Sequence, residues 1–94
     1  MKFLVVSHRG AVPVPDEQLA ENQRQWGVWM DNLNEQLGLR PQGGKTISSK
    51  GIGDYGGDSA GVSIIEASSL DEALERVKAC PGLPFGWAFD VLHE

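Results

Sequence analysis

The chain has a single cysteine, Cys80, so it can form no internal disulfide and must hold its fold by packing alone. It has no cluster of lysine or arginine. Eight basic residues against 13 acidic ones leave a net charge of −5, which excludes the basic surface that nucleic-acid binding requires. No apolar run approaches membrane-spanning length. The run in MKFLVVSHRG stops at Ser7, too early for a signal-peptide core. There is no metal-ligand cluster, because His8 and His93 stand alone and no cysteine pair exists. These absences point to an aqueous, reducing compartment such as the cytoplasm, and to no nucleic-acid, membrane or metal partner. At 94 residues the chain has room for one domain, residues 1–94, with a single modest core that a second copy would help to stabilise.

What is present is periodic. Residues 2–8, KFLVVSH, are partly β-branched and closed by Arg9-Gly10, which predicts a first strand. Phe3 and Val5 lie on one of its faces, Leu4 and Val6 on the other, so both faces are apolar and both need cover. From Asp16-Glu17 to Leu37 the spacing is helical: Leu19, Trp26, Met30, Leu33 and Leu37 form one stripe. Trp26 and Met30 are read as core, and Trp29, off the centre of the stripe, as lining a groove or meeting a partner chain. Gly27 is read as a site of close backbone contact inside the helix, and Gly38 as the helix stop.

Residues 42–50, QGGKTISSK, are a polar edge-strand candidate, followed by the glycine-dense connection GIGDYGGDSAG. Val62 to Ala67 reads as a strand. Ser69 and Glu72 form an S-x-x-E capping box for a short helix carrying Leu70, Ala73, Leu74 and Val77. Pro81-Gly82 and Pro84 end that helix, and residues 85–92 alternate Phe85, Trp87, Phe89 and Val91 against Gly86, Ala88, Asp90 and Leu92 as a last strand. Cys80, at the helix end, is read as a small buried residue in preference to a nucleophile.

The order is β-α-β-β-α-β. It predicts an α+β, ferredoxin-like protomer: a four-stranded antiparallel sheet with two helices on one face. The other sheet face would be bare although its strands are apolar there too, so a homodimer is expected.

Three chemical signatures crowd the middle of the chain and lack their structural context. Gly51-Ile52-Gly53-Asp54-Tyr55-Gly56 matches G-x-G-x-x-G, but a strand follows where dinucleotide binding needs a helix. Gly57-Asp58-Ser59-Ala60-Gly61 matches the G-x-S-x-G elbow, with Asp90 and His93 in the expected chain order, yet it too leads into a strand. Gly44-Lys45-Thr46 lacks the first glycine of a phosphate loop. No cofactor is therefore expected.

Topology is more informative. The predicted fold gathers His8 and Arg9, the glycine-rich hairpin and the Phe85–Trp87 segment at one end of the sheet. His8 is the candidate general acid or base, since its ordinary pKa is near neutrality. Asp58 or Asp54 could orient it, and Tyr55 or Trp87 could stack on a ligand, with Arg9 beside them. The competing reading is a strand-end histidine held by solvent or backbone. Asp90 falls on the face opposite Trp87 and Phe89, inside a dimer or at its rim.

The opening MKFLVVSHRG, the helical QWGVWMDNL and above all GVSIIEASSLDEALERVKACP resemble the YCII-related domain family, which includes DGPF-domain proteins. The resemblance spans nearly the whole chain. It implies a ferredoxin-like protomer in a dimeric α+β barrel, with some members acting on small aromatic or halogenated compounds through a histidine–aspartate pair. In this chain GDYGGDSAG replaces the DGPF tetrad, with Asp54 or Asp58 the nearest counterpart of the family aspartate. The histidine that one branch carries in the first helix is absent from EQLAENQRQW. The resemblance thus implies His8 and Asp58 as catalytic candidates. The function it implies is a protein that binds, and in the stronger form transforms, a small organic molecule. The alternative is a non-catalytic accessory or regulatory module that meets another protein.

Overall fold

A computed structural model describes all residues, Met1–Glu94. Four strands form the main sheet: β1 (Lys2–His8), β2 (Glu35–Leu39), β5 (Ser59–Glu66) and β6 (Ala88–His93). They run in the spatial order β2-β5-β1-β6, each antiparallel to its neighbour. Helices α1 (Leu19–Leu33) and α2 (Leu70–Lys78) cover one face. Between β2 and β5 the chain makes a separate hairpin of β3 (Lys45–Ser48) and β4 (Gly51–Asp54). The main sheet is therefore the ferredoxin-like arrangement with a hairpin inserted before its third strand.

The expected edge strand over 42–50 is not in this sheet. Its residues enter the inserted hairpin, and the sheet edge is made by Glu35–Leu39, a segment whose apolar spacing had extended the helical stripe. Helix α1 stops four residues earlier than the stripe suggested. Asn34 takes the left-handed conformation (φ 57, ψ 50) that ends a helix, a conformation asparagine tolerates better than most residues. Gly38 has a different task. It sits in β2 opposite Ser63, and a Cβ there would lie 1.3 Å from Oε1 of Glu35. Glu35 uses the space to accept hydrogen bonds from Ser63 Oγ and Arg40 Nη2, each 3.2 Å.

Register assigns each strand residue to a face. Phe3 and Val5, paired with Ile65 and Ser63, point toward the helices and are almost fully buried. Trp29, Leu33, Ala73 and Val77 close the core over them, with Phe89 and Val91 packed at its margin. Trp29, placed off the stripe by spacing, is core. Its indole N–H donates to the carbonyl of Arg76 at 2.8 Å and so ties α1 to α2, while Met30 is exposed. Trp26 is half-buried and packs edge-on against Trp29 and Trp87, at ring centroid separations of 5.5 and 4.8 Å. A Cβ at Gly27 would meet nothing within 4 Å, so no close backbone contact is made there.

Helix α2 begins as its sequence specifies. The Ser69 side chain accepts from the Glu72 N–H at 3.1 Å, and the Glu72 carboxylate reaches back one residue further than a standard capping box, to the Ser68 N–H at 2.9 Å. The Ser68 hydroxyl, which also donates to this carboxylate, and the Ser68 N–H, together with Arg76, hold the Glu72 carboxyl below its usual range. Burial pushes the Cys80 thiol up to about 11, leaving it a protonated packing group.

The opposite sheet face has no cover. Leu4, Val6, Val62 and Ile64 are half-buried there, flanked by Leu37, Leu39 and Leu92, which are exposed. The chain is accordingly a plate of 41 × 38 × 18 Å. Its radius of gyration of 14.8 Å exceeds the value of about 12 Å typical of a compact domain of this length. No helix is long and apolar enough to cross a membrane.

Candidate functional site

At the end of β1 the ladder with β5 is irregular. Ser7 pairs with Gly61, but His8 pairs with Ser59, so Ala60 is an extra residue in the β5 strand. The bulge draws the start of β5 back by one position and brings Asp58 alongside His8. The Arg9 N–H donates to the Asp58 carbonyl at 2.7 Å and fixes that loop against the strand end. On the other side of β1, His8 is opposite Ala88, which places Asp90 two residues along β6 on the same face.

The two carboxylates hold the imidazole from both sides. His8 Nδ1 lies 2.8 Å from Asp58 Oδ1 and His8 Nε2 lies 2.7 Å from Asp90 Oδ2. An ionised carboxylate can only accept, so the form of the ring that satisfies both contacts carries hydrogen on both nitrogens, the imidazolium. Its pKa is accordingly raised, first by the hydrogen bond to Asp90 and then by that to Asp58, while His8 holds the Asp58 carboxyl below its ordinary value. The His8 side chain is 30% exposed and both carboxylates are more so. The trio lies at the rim of the open sheet face. The carboxylates occupy opposite edges of the ring and do not converge as a metal-ligand set.

As found, the ring can give a proton but cannot take one, because no nitrogen lone pair is free. It becomes a base only when a ligand displaces one carboxylate. Asp58 lies outside the ladder with its side chain 65% exposed, whereas Asp90 is in the β6 ladder, so the Asp58 carboxylate is the one that can rotate away while its backbone carbonyl stays bonded to Arg9.

The other candidates are placed in three different surroundings. Arg9 and Tyr55 line an open polar depression of about 350 Å³ beside His8's strand end, with Gln42 and Ser59. The Tyr55 hydroxyl accepts from the Ser59 N–H at 3.0 Å. Asp54 is on the hairpin, ion-paired with Lys45. Trp87 is on the helix side of the sheet, in the cleft of Trp26, Trp29, Glu35 and Arg40. The predicted end of the sheet does gather His8, Arg9, Asp58 and the Phe85–Trp87 segment, whose backbone Gly10 approaches closely. The sheet separates Trp87 from the His8 side chain.

Asp90 has no role that the sequence alone assigns. Its alternation against Trp87 and Phe89 was legible, but not that His8 shares its face. Ser59 and His93, the outer members of the apparent hydrolase order, are at opposite ends of the sheet: Ser59 pairs with His8, and His93 pairs with Phe3 and packs on its ring at 5.2 Å.

No family model matches the chain, and no curated protein matches it. Among solved structures it is similar to 5-chloro-2-hydroxyhydroquinone dehydrochlorinase (TftG) from Burkholderia phenoliruptrix AC1100, in complex with 2,5-dihydroxybenzoquinone. The similarity covers 100% of this chain and 93% of that one, with a TM-score of 0.56 and 21% sequence identity. The chain shares the fold of that small-molecule enzyme, from its first strand to its last.

Proposed function

We propose that this protein is a YCII-related homodimer that binds a small hydroxylated aromatic or quinone-like molecule at His8 and performs acid–base chemistry on it. The observation that carries the reading is the His8 ring held between Asp58 and Asp90 on an open sheet face. A ligand hydroxyl takes the place of the Asp58 carboxylate at Nδ1. With one carboxylate gone, the ring releases its Nδ1 proton to water more readily, and the freed Nδ1 lone pair then accepts the proton of the ligand hydroxyl. Asp90 keeps Nε2 protonated and the ring oriented, as a carboxylate does for a catalytic histidine elsewhere. Arg9 and Tyr55 flank the approach. The fold neighbour's own substrate, a chlorinated hydroxyhydroquinone, supports this ligand class.

The dimer reading rests on the bare face and on area. The chain exposes 6394 Å², against about 5,300 Å² for a compact monomer of this mass. The excess of about 1,000 Å² is what one partner buries in an ordinary stable interface. Pairing two open faces would also enclose the His8 sites and strengthen their electrostatics. An aqueous, reducing compartment such as the cytoplasm suits an unpaired buried thiol.

The test is a thermal-shift series with 2,5-dihydroxybenzoquinone, simple hydroquinones and phenols, on the wild type and on His8→Ala. A ligand that raises the melting temperature of the wild type and leaves His8→Ala unmoved supports the site. Equal shifts in both proteins, or none in either, would overturn it.

A further inference from the structure

The inserted hairpin belongs to neither layer of the fold. β3 pairs only with β4, in a register that sets Ile47 opposite Ile52. These are 77% and 73% exposed, more than any other large apolar side chain in the chain. A two-stranded ribbon without packing is marginal in water, so an exposed isoleucine pair on it calls for a surface to rest on. Glycines flank the ribbon. Gly43 and Gly44, at φ 109 and 157, lead into it, and Gly56-Gly57 lead out. It is an arm carried on backbone that side-chain-bearing residues would resist.

An apolar groove of about 290 Å³ lies on the helix side beside β6, lined by Leu74, Val77, Leu83, Phe89 and Val91. Leu74 and Leu83 are 42% and 39% exposed. The arm cannot fill this groove in its own chain. It leaves the sheet from β2 and β5, while β6 is the opposite edge, about 14 Å away across three strand spacings.

A second copy shortens that path to a turn around one sheet edge, because the arm has only to fold around the partner's β6 edge to reach the groove on its helix side. A two-fold axis parallel to the strands, pairing the open faces, reverses the strand order across the interface and sets the β2 edge of one chain over the β6 edge of the other. It also keeps the strand ends level. The arm departs from the His8 end, and Leu83 lies at that same end, just before Ala88, which pairs with His8.

We propose that the hairpin is a dimer clasp: Ile47 and Ile52 of each chain seat in the Leu74–Leu83–Phe89 groove of a second copy, giving two reciprocal clasps per dimer. The proposal rests on the homodimer reading and goes beyond it in assigning the arm and its seat. The surface in excess of a compact monomer, about 1,000 Å² per chain, includes the arm as well as the open face and exceeds the roughly 800 Å² that one partner of a standard interface buries.

Sedimentation of the wild type and of I47S/I52S, with circular dichroism as a control for folding, measures the arm's contribution. Oxidative cross-linking of I52C/L74C locates its seat, with each single variant as control. The clasp predicts a folded I47S/I52S protein whose dimer dissociation constant rises at least tenfold. It also predicts a disulfide-linked dimer from the double cysteine variant alone. An unchanged dissociation constant without cross-linking overturns the clasp and leaves the dimer standing. It would assign the arm to another partner. A weakened dimer without cross-linking overturns the groove as the seat. A wild type that is monomeric at micromolar concentration removes the dimer and the clasp together.

Discussion

Nε2 of His8 lies 2.7 Å from Oδ2 of Asp90, a contact that bridges 82 residues of sequence and joins the first strand to the last. It is also the leading cause of the raised His8 pKa, ahead of Asp58. NMR titration of the His8 ring should therefore give a midpoint above the ordinary 6.5. Asp90→Asn should lower that midpoint more than Asp58→Asn does. Equal effects, or a larger one from Asp58→Asn, would reverse the assignment of Asp90 as the anchoring carboxylate.

The same pair gives stability a pH signature. His8 has its folded pKa raised, so its contribution is complete below the unfolded value near 6.5 and fades as pH rises through the folded value. Asp58 has its pKa lowered, so its contribution is present above about 3.8 and is lost as pH falls through the folded value. The melting temperature of the wild type minus that of His8→Gln should be largest in mild acid, between these limits. It should shrink above neutrality. A flat difference from pH 4 to 9 would show that the hydrogen bonds carry no net stabilisation in solution.

Two glycine substitutions should act with opposite sign. Gly27→Ala places a methyl group where nothing lies within 4 Å and removes a helix-interior glycine. It should stabilise by up to about 1 kcal/mol, which is about 4–8 °C in melting temperature for a domain of this size. Gly38→Ala must expel the Glu35 carboxylate and leaves the Ser63 hydroxyl, 5% exposed, without its partner. A loss of about 1–3 kcal/mol is expected. Thermal denaturation of both variants checks the pair.

The core is thin, so its few buried residues carry a large share of the stability. Ile65 is fully buried among Phe3, Val5 and the two helices. Ile65→Ala should cost about 2–5 kcal/mol and unfold much of the protein at 37 °C. Trp29→Phe keeps an aromatic ring in the core but loses the indole N–H bonded to the Arg76 carbonyl, a bond worth about 1 kcal/mol. Denaturant titration distinguishes these two magnitudes.

The open face provides the complementary test. Ile64 points away from the helices, at the centre of the uncovered surface. Ile64→Lys should leave the protomer folded and convert a dimer to a monomer in sedimentation. A dimer that survives the substitution would place its interface on another surface.

Local features were readable from sequence wherever neighbouring residues decide them. The alternation of KFLVVSH specifies a strand with two apolar faces. Ser69 and Glu72 specify a helix start, and the prolines after Cys80 specify its end. The segment from Gly61 to His93 is legible as strand, helix and strand for this reason, and so is the ferredoxin-like order, but the last strand begins at Ala88 and not at Phe85, because Leu83–Phe85 close a 3-10 turn and Gly86 is left-handed (φ 88). The second edge strand is not readable from sequence because Leu37 satisfies a helical spacing from Leu33 as well as the pleat of a strand. Only pairing with Ile64, and the left-handed turn at Asn34, decide between them. Asp90 escaped assignment for a similar reason: a face is defined by a neighbouring strand's register, which sequence does not contain. The tertiary structure alone decided that Ala60 bulges, that Asp58 and Asp90 meet one histidine, and that Asp54 and Trp87 do not. Each depends on hydrogen-bonded partners tens of residues away, and such pairings are settled by the packing of the whole sheet rather than by the local preferences of the chain.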